Sequence, residues 1–155
     1  MFSFFKKNKD LDLSAPIQGE VIELEKVNDP VFSQKMMGEG IAVRPSEGVI
    51  CAPCDATVTL VAQTLHALGL KADALPAEIL IHCGLDTVNL NGEGFTRIVN
   101  PGAHVKKGDP LLKIDLDFMK AHDIDLTTPM VVTNSADFDI ERINEDGNVL
   151  RVKKK

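Results

Sequence analysis

From Ala15 onward the chain repeats one local pattern: a short run of apolar, mostly branched residues, then a turn signal built from Gly, Pro, Asn or Asp. The runs are Val21-Ile22-Glu23-Leu24, Ile41-Ala42-Val43, Val58-Thr59-Leu60-Val61, Ile79-Leu80-Ile81, Leu111-Leu112-Lys113-Ile114, Met130-Val131-Val132 and Val149-Leu150-Arg151-Val152. Each is strand-length and too short to show the periodicity of an amphipathic helix. The turn signals are Glu39-Gly40, Asn91-Gly92, Pro101-Gly102, Gly108-Asp109 and Asp146-Gly147, residues whose backbone suits a reversal of the chain. Helix is predicted only over residues 31–37, behind Pro30, and over Leu116–Ala121, behind Asp115. A chain punctuated this often folds as an all-β antiparallel sandwich or barrel-like domain with short helices.

The 155 residues suffice for one domain with a core, not two. Residues 1–13 read as a flexible tail, with Phe2, Phe4 and Phe5 ahead of Lys6, Lys7, Asn8, Lys9 and Asp10, and residues 14–155 read as the domain. A disordered end is the reading favoured for that tail over a membrane contact. Its charges follow its apolar residues, the reverse of a secretory signal. No run reaches the roughly 18 apolar residues of a spanning helix. Seventeen basic against twenty-three acidic residues give a net charge of −6, and there is no Trp or Tyr. That balance repels phosphate backbones, and the stacking platforms for single strands are missing, so nucleic-acid binding is excluded. Three cysteines, an odd number, argue against an extracellular disulfide framework, so a cytoplasmic location is expected. A faint internal echo links Ala15-Pro16-Ile17-Gln18-Gly19-Glu20-Val21 to Ala52-Pro53-Cys54-Asp55-Ala56-Thr57-Val58, each leading into a predicted strand.

Chemistry concentrates in Thr64-Leu65-His66-Ala67 and Ile79-Leu80-Ile81-His82-Cys83-Gly84-Leu85-Asp86-Thr87-Val88. His82 ends a run expected to be fully buried, where an imidazole is costly unless its nitrogens are paired. A lone histidine there is ordinarily a core residue bonded to a backbone carbonyl. His66, however, opens another strand-like run, and the intervening residues suffice for an antiparallel return that brings the two rings together. Gly84 lets the chain leave the strand tightly, and Asp86 and Thr87 are expected to supply polar atoms at the rim. Two imidazoles on one shallow site suit metal ligation, which wants further ligands, or phosphoryl transfer, in which one ring attacks phosphorus and the other holds its oxygens.

Further motifs, in their order and spacing, carry a family resemblance that bears on this choice. They are Ala15-Pro16 with Gly19-Glu20-Val21, Asp29-Pro30-Val31-Phe32, Met37-Gly38-Glu39-Gly40-Ile41-Ala42-Val43, Ala52-Pro53, Leu90-Asn91-Gly92-Glu93-Gly94-Phe95, Val105-Lys106-Lys107-Gly108-Asp109 and Thr128-Pro129-Met130-Val131-Val132-Thr133-Asn134. Together with the two histidine motifs the chain resembles, over nearly its whole domain, the glucose-type enzyme IIA of the bacterial phosphoenolpyruvate:sugar phosphotransferase system. That resemblance implies a fold of the duplicated hybrid motif type with both histidines in a shallow apolar depression. It also implies that His82 accepts the phosphoryl group, that His66 donates a hydrogen bond to it, and that Thr64 orients His66. Asp29 and Asp86 match acidic groups around the site, and Phe32, Met37 and Val88 match apolar partner surface. The implied partners are the histidine phosphocarrier protein, the IIB domain of a membrane sugar permease and regulatory target proteins, met at the inner face of the membrane. No cofactor is implied. Zinc held by His66 and His82 would be incidental. The chain departs from the family pattern at Pro76, at a loop between the histidines one residue longer than common, and at Cys83; Ala62 and Leu80 make the depression less aromatic.

Other features carry blander readings. Cys51-Ala52-Pro53-Cys54 has zinc or redox spacing, but only Cys83 remains as a further thiol, and the βαβ setting of a thioredoxin-like motif is absent. His104 and His122 are expected to be functionally idle. The segment from Pro101 to Pro110 is similar to the turn of a biotinyl- or lipoyl-carrier domain, yet the only Met-Lys pair, Met119-Lys120, falls in a predicted helix. A non-catalytic regulatory binding module would have no need of both histidines.

Overall fold

In the computed structural model residues 10–155 are described, and the aromatic and lysine residues of the expected tail lie outside them. The strands are β1 (Leu11–Ser14), β2 (Gly19–Glu23), β3 (Glu39–Pro45), β4 (Val49–Cys51), β5 (Ala56–Val61), β6 (Ala67–Ala72), β7 (Glu78–His82), β8 (Phe95–Arg97), β9 (His104–Val105), β10 (Pro110–Ile114), β11 (Thr128–Val132), β12 (Phe138–Glu145) and β13 (Asn148–Lys154). Two short helices, α1 (Pro30–Ser33) and α2 (Leu116–Ala121), interrupt them. A seven-stranded sheet runs in the order β2-β3-β11-β7-β6-β5-β9, beside three-stranded sheets β1-β13-β12 and β4-β10-β8. Every described pairing is antiparallel, as the short runs and tight turns predict.

Branched residues set the layers. In β7 Ile79 and Ile81 are buried while Leu80 and His82 are half-buried, the alternation of a strand with two different faces. The expectation of a fully buried run is therefore corrected: His82 stands on the outer face, not in the core. The inner face joins a large cluster that includes Leu13, Ile41, Ile50, Leu68, Leu70, Leu111, Leu112 and Met130. On the outer face a second, smaller cluster forms from Ile22, Ala42 and Val131 on the sheet, Leu24, Val27 and Phe32 from the covering chain, and Leu85, with Leu80 packed against it. Burying Phe32 there stabilises the cover by about 1.5–3 kcal/mol.

Three sequence expectations are corrected. The tail read over residues 1–13 does not include residues 11–13, because Leu11 and Leu13 are buried and β1 pairs with β13. The helix read over 31–37 stops at Ser33, since Lys35 adopts φ +58° and ends the helical path. Glu39-Gly40 is strand rather than turn: β3 passes β11 so closely that a Cβ on Gly40 would lie 2.0 Å from the Met130 carbonyl oxygen. By contrast Asp146-Gly147, both at positive φ, closes the β12–β13 hairpin, as that pair predicts. The two Ala-Pro segments also meet reciprocally. Ser14 N–H donates to the Pro53 carbonyl at 3.0 Å and Cys51 N–H donates to the Pro16 carbonyl at 2.7 Å, so the residue before each Ala-Pro reaches the proline of the other.

Candidate functional site

Strands β6 and β7 pair with Ala67 opposite His82. The pairing runs one residue further, where Cys83 N–H donates to the His66 carbonyl at 2.7 Å. Only a methyl group stands across from the His82 ring, which leaves space for the second imidazole. The rings of His66 and His82 lie 5.1 Å apart, centroid to centroid, at 73°. The antiparallel return expected from the spacing is present.

The two rings differ in which nitrogen is engaged. His82 Nδ1 lies 2.8 Å from the Gly84 carbonyl oxygen. A carbonyl only accepts, so Nδ1 carries a proton, and Nε2 has a free lone pair whenever the ring is neutral. Gly84 makes this contact possible because its φ is +83° and an added Cβ would fall 2.8 Å from Thr87 Cγ2 and 3.2 Å from the Asp125 carbonyl oxygen. The same loop is fixed by Leu85 N–H donating to that Asp125 carbonyl at 2.9 Å. Thr87 Oγ1 also donates to the Cys83 carbonyl at 2.6 Å. Thr87 is thus a buried loop brace, not the rim group expected from sequence.

On the other ring, Thr64 Oγ1 hydrogen-bonds Nδ1 of His66. Burial, and then the neighbouring His82, hold the His66 pKa below the ordinary imidazole value. A neutral His66 whose Nδ1 accepts from the Thr64 hydroxyl presents Nε2–H as a donor. The pair then offers one lone pair and one N–H from adjacent imidazoles.

Phe32 supplies a third wall, its ring 5.1 Å from that of His82 at 59°. It is delivered by α1, which opens with Pro30 and is capped by Asp29, whose Oδ1 accepts from Val31 N–H at 3.0 Å. Half-buried Asp29 is therefore engaged as a cap, whereas Asp86 is exposed and left-handed at φ +58°. Of the six exposed large apolar residues among those described, Val31, Met36 and Met37 lie in or just after α1 and Val88 follows His82; the other two, Leu60 and Ile98, lie elsewhere in the chain. Half-buried Ala62, just after β5, and half-buried Leu80, in β7, bring no aromatic ring, and Pro76 sits in the β6–β7 connection.

Sequence reasoning missed the Asp125 carbonyl, because a backbone atom leaves no signature in residue type. It also gave Leu65 no role of its own.

The remaining candidates add no chemistry to this site. Cys51, Cys54 and Cys83 are free thiols. Burial pushes Cys54 and Cys83 up to about 12, so neither is a thiolate near neutral pH. Among the described residues no group of three or more His, Cys, Asp or Glu is placed to hold a metal ion. His104 Nε2 pairs with Asp73 Oδ2 at 2.6 Å on the surface. His122 caps α2 and stacks on Phe118. Met119-Lys120 lies inside α2 with Met119 buried, not at the hairpin tip that a biotinyl or lipoyl carrier requires. Among the described residues no helix is long and apolar enough to cross a membrane.

Residues 11–138 match the family described as the phosphoenolpyruvate-dependent sugar phosphotransferase system, EIIA 1. A glucose-specific EIIA component of this system from Oceanobacillus iheyensis is 49% identical over 130 residues, 84% of this chain and 78% of that protein. One from Borreliella burgdorferi is 42% identical over 132 residues, 85% of this chain and 69% of that protein. A mannose-specific EIIBCA component from Corynebacterium glutamicum is 47% identical over 137 residues, which are 88% of this chain but 20% of the longer protein. The solved structure of glucose permease IIA from Mycoplasma capricolum superposes with a TM-score of 0.83 at 31% identity, covering 97% of this chain and 99% of that one.

Proposed function

Because the chain belongs to the EIIA 1 family of the phosphoenolpyruvate-dependent sugar phosphotransferase system, and is a phosphocarrier component of that system, we propose that Nε2 of His82 is the atom that carries the phosphoryl group. The observation that carries this reading is that the two rings lie 5.1 Å apart with both Nδ1 atoms engaged, that of His82 by the Gly84 carbonyl and that of His66 by the Thr64 hydroxyl, which leaves the Nε2 atoms for the transfer.

In the first transfer the Nε2 lone pair attacks phosphorus of the phosphohistidine on the histidine phosphocarrier protein. The donor N–P bond breaks and its electron pair returns to the donor imidazole. No proton moves, since Nδ1–H of His82 stays on the Gly84 carbonyl. His66 Nε2–H then donates to a phosphoryl oxygen, and Thr64 holds that ring in the donor tautomer. In the second transfer a nucleophile on the IIB domain of a sugar permease attacks the same phosphorus and the His82 N–P bond breaks. Positioning and charge stabilisation do the chemistry.

Both partners must come and go, which suits an open apolar surface with a polar rim better than a deep pocket. Exposed Val31, Met36, Met37 and Val88, with Asp86, supply that surface chemistry. The mannose-specific relative that joins EIIB, EIIC and EIIA in one chain supports a IIB partner, met at the cytoplasmic face of the membrane.

The test is intact-mass analysis after incubation with phosphoenolpyruvate and the two upstream phosphocarriers. The mass of one phosphoryl group is expected on the parent protein and on His66→Gln, and none on His82→Gln. Phosphorylated His82→Gln would overturn the assignment.

A further inference from the structure

Six non-glycine residues among those described have positive φ: Lys35, Leu65, Asp86, Asn91, Asp123 and Asp146. Asp and Asn tolerate this region because their short polar groups bond locally. Leu65, at φ +60°, is the one apolar residue in the set, and nothing in its side chain favours that backbone. Such an outlier persists only where its surroundings over-determine it.

Those surroundings are visible. Leu65 stands between Thr64 and His66 in the β5–β6 turn. Its N–H donates to the Ala62 carbonyl at 2.8 Å, and Ala62 N–H donates to the Ala67 carbonyl at 3.0 Å. Its side chain is partly buried against the main core cluster. The left-handed step reverses the chain between Thr64 and His66, and this is where the Thr64 hydroxyl meets Nδ1 of its second neighbour. The His66 ring lies against that of His82, while the leucine before it packs against the main core cluster.

We propose that Leu65 is a positioning residue for phosphoryl transfer: its half-buried side chain holds the turn in the left-handed conformation that locks His66 into the donor tautomer beside His82. This rests on the phosphocarrier reading above. Asn or Gly would satisfy the backbone alone. Leucine adds an anchor, so the His66 ring is fixed from the core rather than by the surface turn.

The test compares Leu65→Gly, which relieves the backbone requirement and removes the anchor, with Leu65→Met, which keeps an apolar anchor. Ring-nitrogen NMR of the isolated protein reads the His66 tautomer and titration, and single-turnover assays read acceptance by His82 and onward transfer to a IIB domain. In Leu65→Gly, His66 is expected to sample both tautomers and its pKa to rise toward the ordinary imidazole value as the ring loses burial. Acceptance should persist, and onward transfer should slow by roughly tenfold to a hundredfold, as for a small misplacement of a reacting group. Leu65→Met should match the parent in both readouts. A His66 spectrum in Leu65→Gly identical to the parent's would overturn the proposal whatever the transfer rate. The spectrum needs no partner, so the positioning claim is decided even if His82 proves not to be the acceptor. That separate failure would show as phosphorylation of His82→Gln.

Discussion

At the scale of single residues, the proposed chemistry requires opposite hydrogen-bond roles from two identical side chains. The Gly84 carbonyl can only accept from Nδ1 of His82, and the Thr64 hydroxyl is able to donate to Nδ1 of His66. Replacing Thr64 by Val keeps the shape of the side chain and removes the hydroxyl. His82 should still take the phosphoryl group, since its own Nδ1 contact is untouched. Onward transfer should fall on the order of tenfold, the scale seen when a group that orients a histidine is lost. Rapid-quench transfer to a IIB domain reads the difference, and parent-like onward transfer in Thr64→Val would contradict the orienting role. Much of this was legible in the sequence, because His66 and His82 sit on either side of a return the right length for two neighbouring strands. The contributions of Gly84 and Asp125 were not legible as such, since both act through backbone carbonyls, whose partners depend on the folded loop. Thr87 misled for a related reason. A hydroxyl near the site suggests a rim, but the tight turn after Gly84 carries it inward to the Cys83 carbonyl.

Among the secondary-structure elements, strands recognisable from branched runs were legible and the rest needed partners. β3, β7 and β11 each contain an apolar run that alternates or is wholly buried, and β5, β10 and β13 each carry three apolar residues around a single polar one. β6, with Gly69 and Lys71 inside it, and β12, dense in charge, owe their extended form to neighbouring strands. β1 is the clearest instance. Its four residues carry too little signal to separate from a tail, yet β13 pairs with all of them and Asp12 is clasped by Arg151 at 2.8 and 3.0 Å. The Arg151 hydrogen bond, outweighing the cost of burial, holds the Asp12 carboxyl below the ordinary carboxylate range. A carboxyl depressed in the folded state adds stability above its unfolded pKa, and that increment is lost as pH falls through the folded value. Asp12→Asn should therefore melt below the parent near neutral pH, with the gap closing in acid. Raised salt should narrow the gap, because both groups are partly exposed and exposed charges are screened. Melting curves across pH decide it, and a gap that stays constant into acid would contradict an electrostatic clasp.

For the molecule as a whole, the fold serves the chemistry by separating what must be rigid from what must be exposed. The large cluster between the sheets fixes β6 and β7, and the small outer cluster holds Phe32 against His82. Around them Met36, Met37 and Val88 remain open, an apolar surface that a transient partner can cover without a pocket closing. The architecture was legible from the rhythm of runs and turns. Its division into one large and two small sheets was not, because strand order depends on pairings far apart in sequence, such as β4 with β10 and β1 with β13. The Ala-Pro echo became meaningful only once the two segments were seen to bond reciprocally. What unites these scales is the claim that the whole arrangement presents Nε2 of one histidine to phosphorus. The most direct test is NMR of the protein labelled at its imidazole nitrogens, after phosphorylation by phosphoenolpyruvate and the upstream carriers. The account predicts phosphorus coupled to Nε2 of His82, with Nδ1 of that ring still protonated; coupling to Nδ1 of His82, or to either nitrogen of His66, would contradict it.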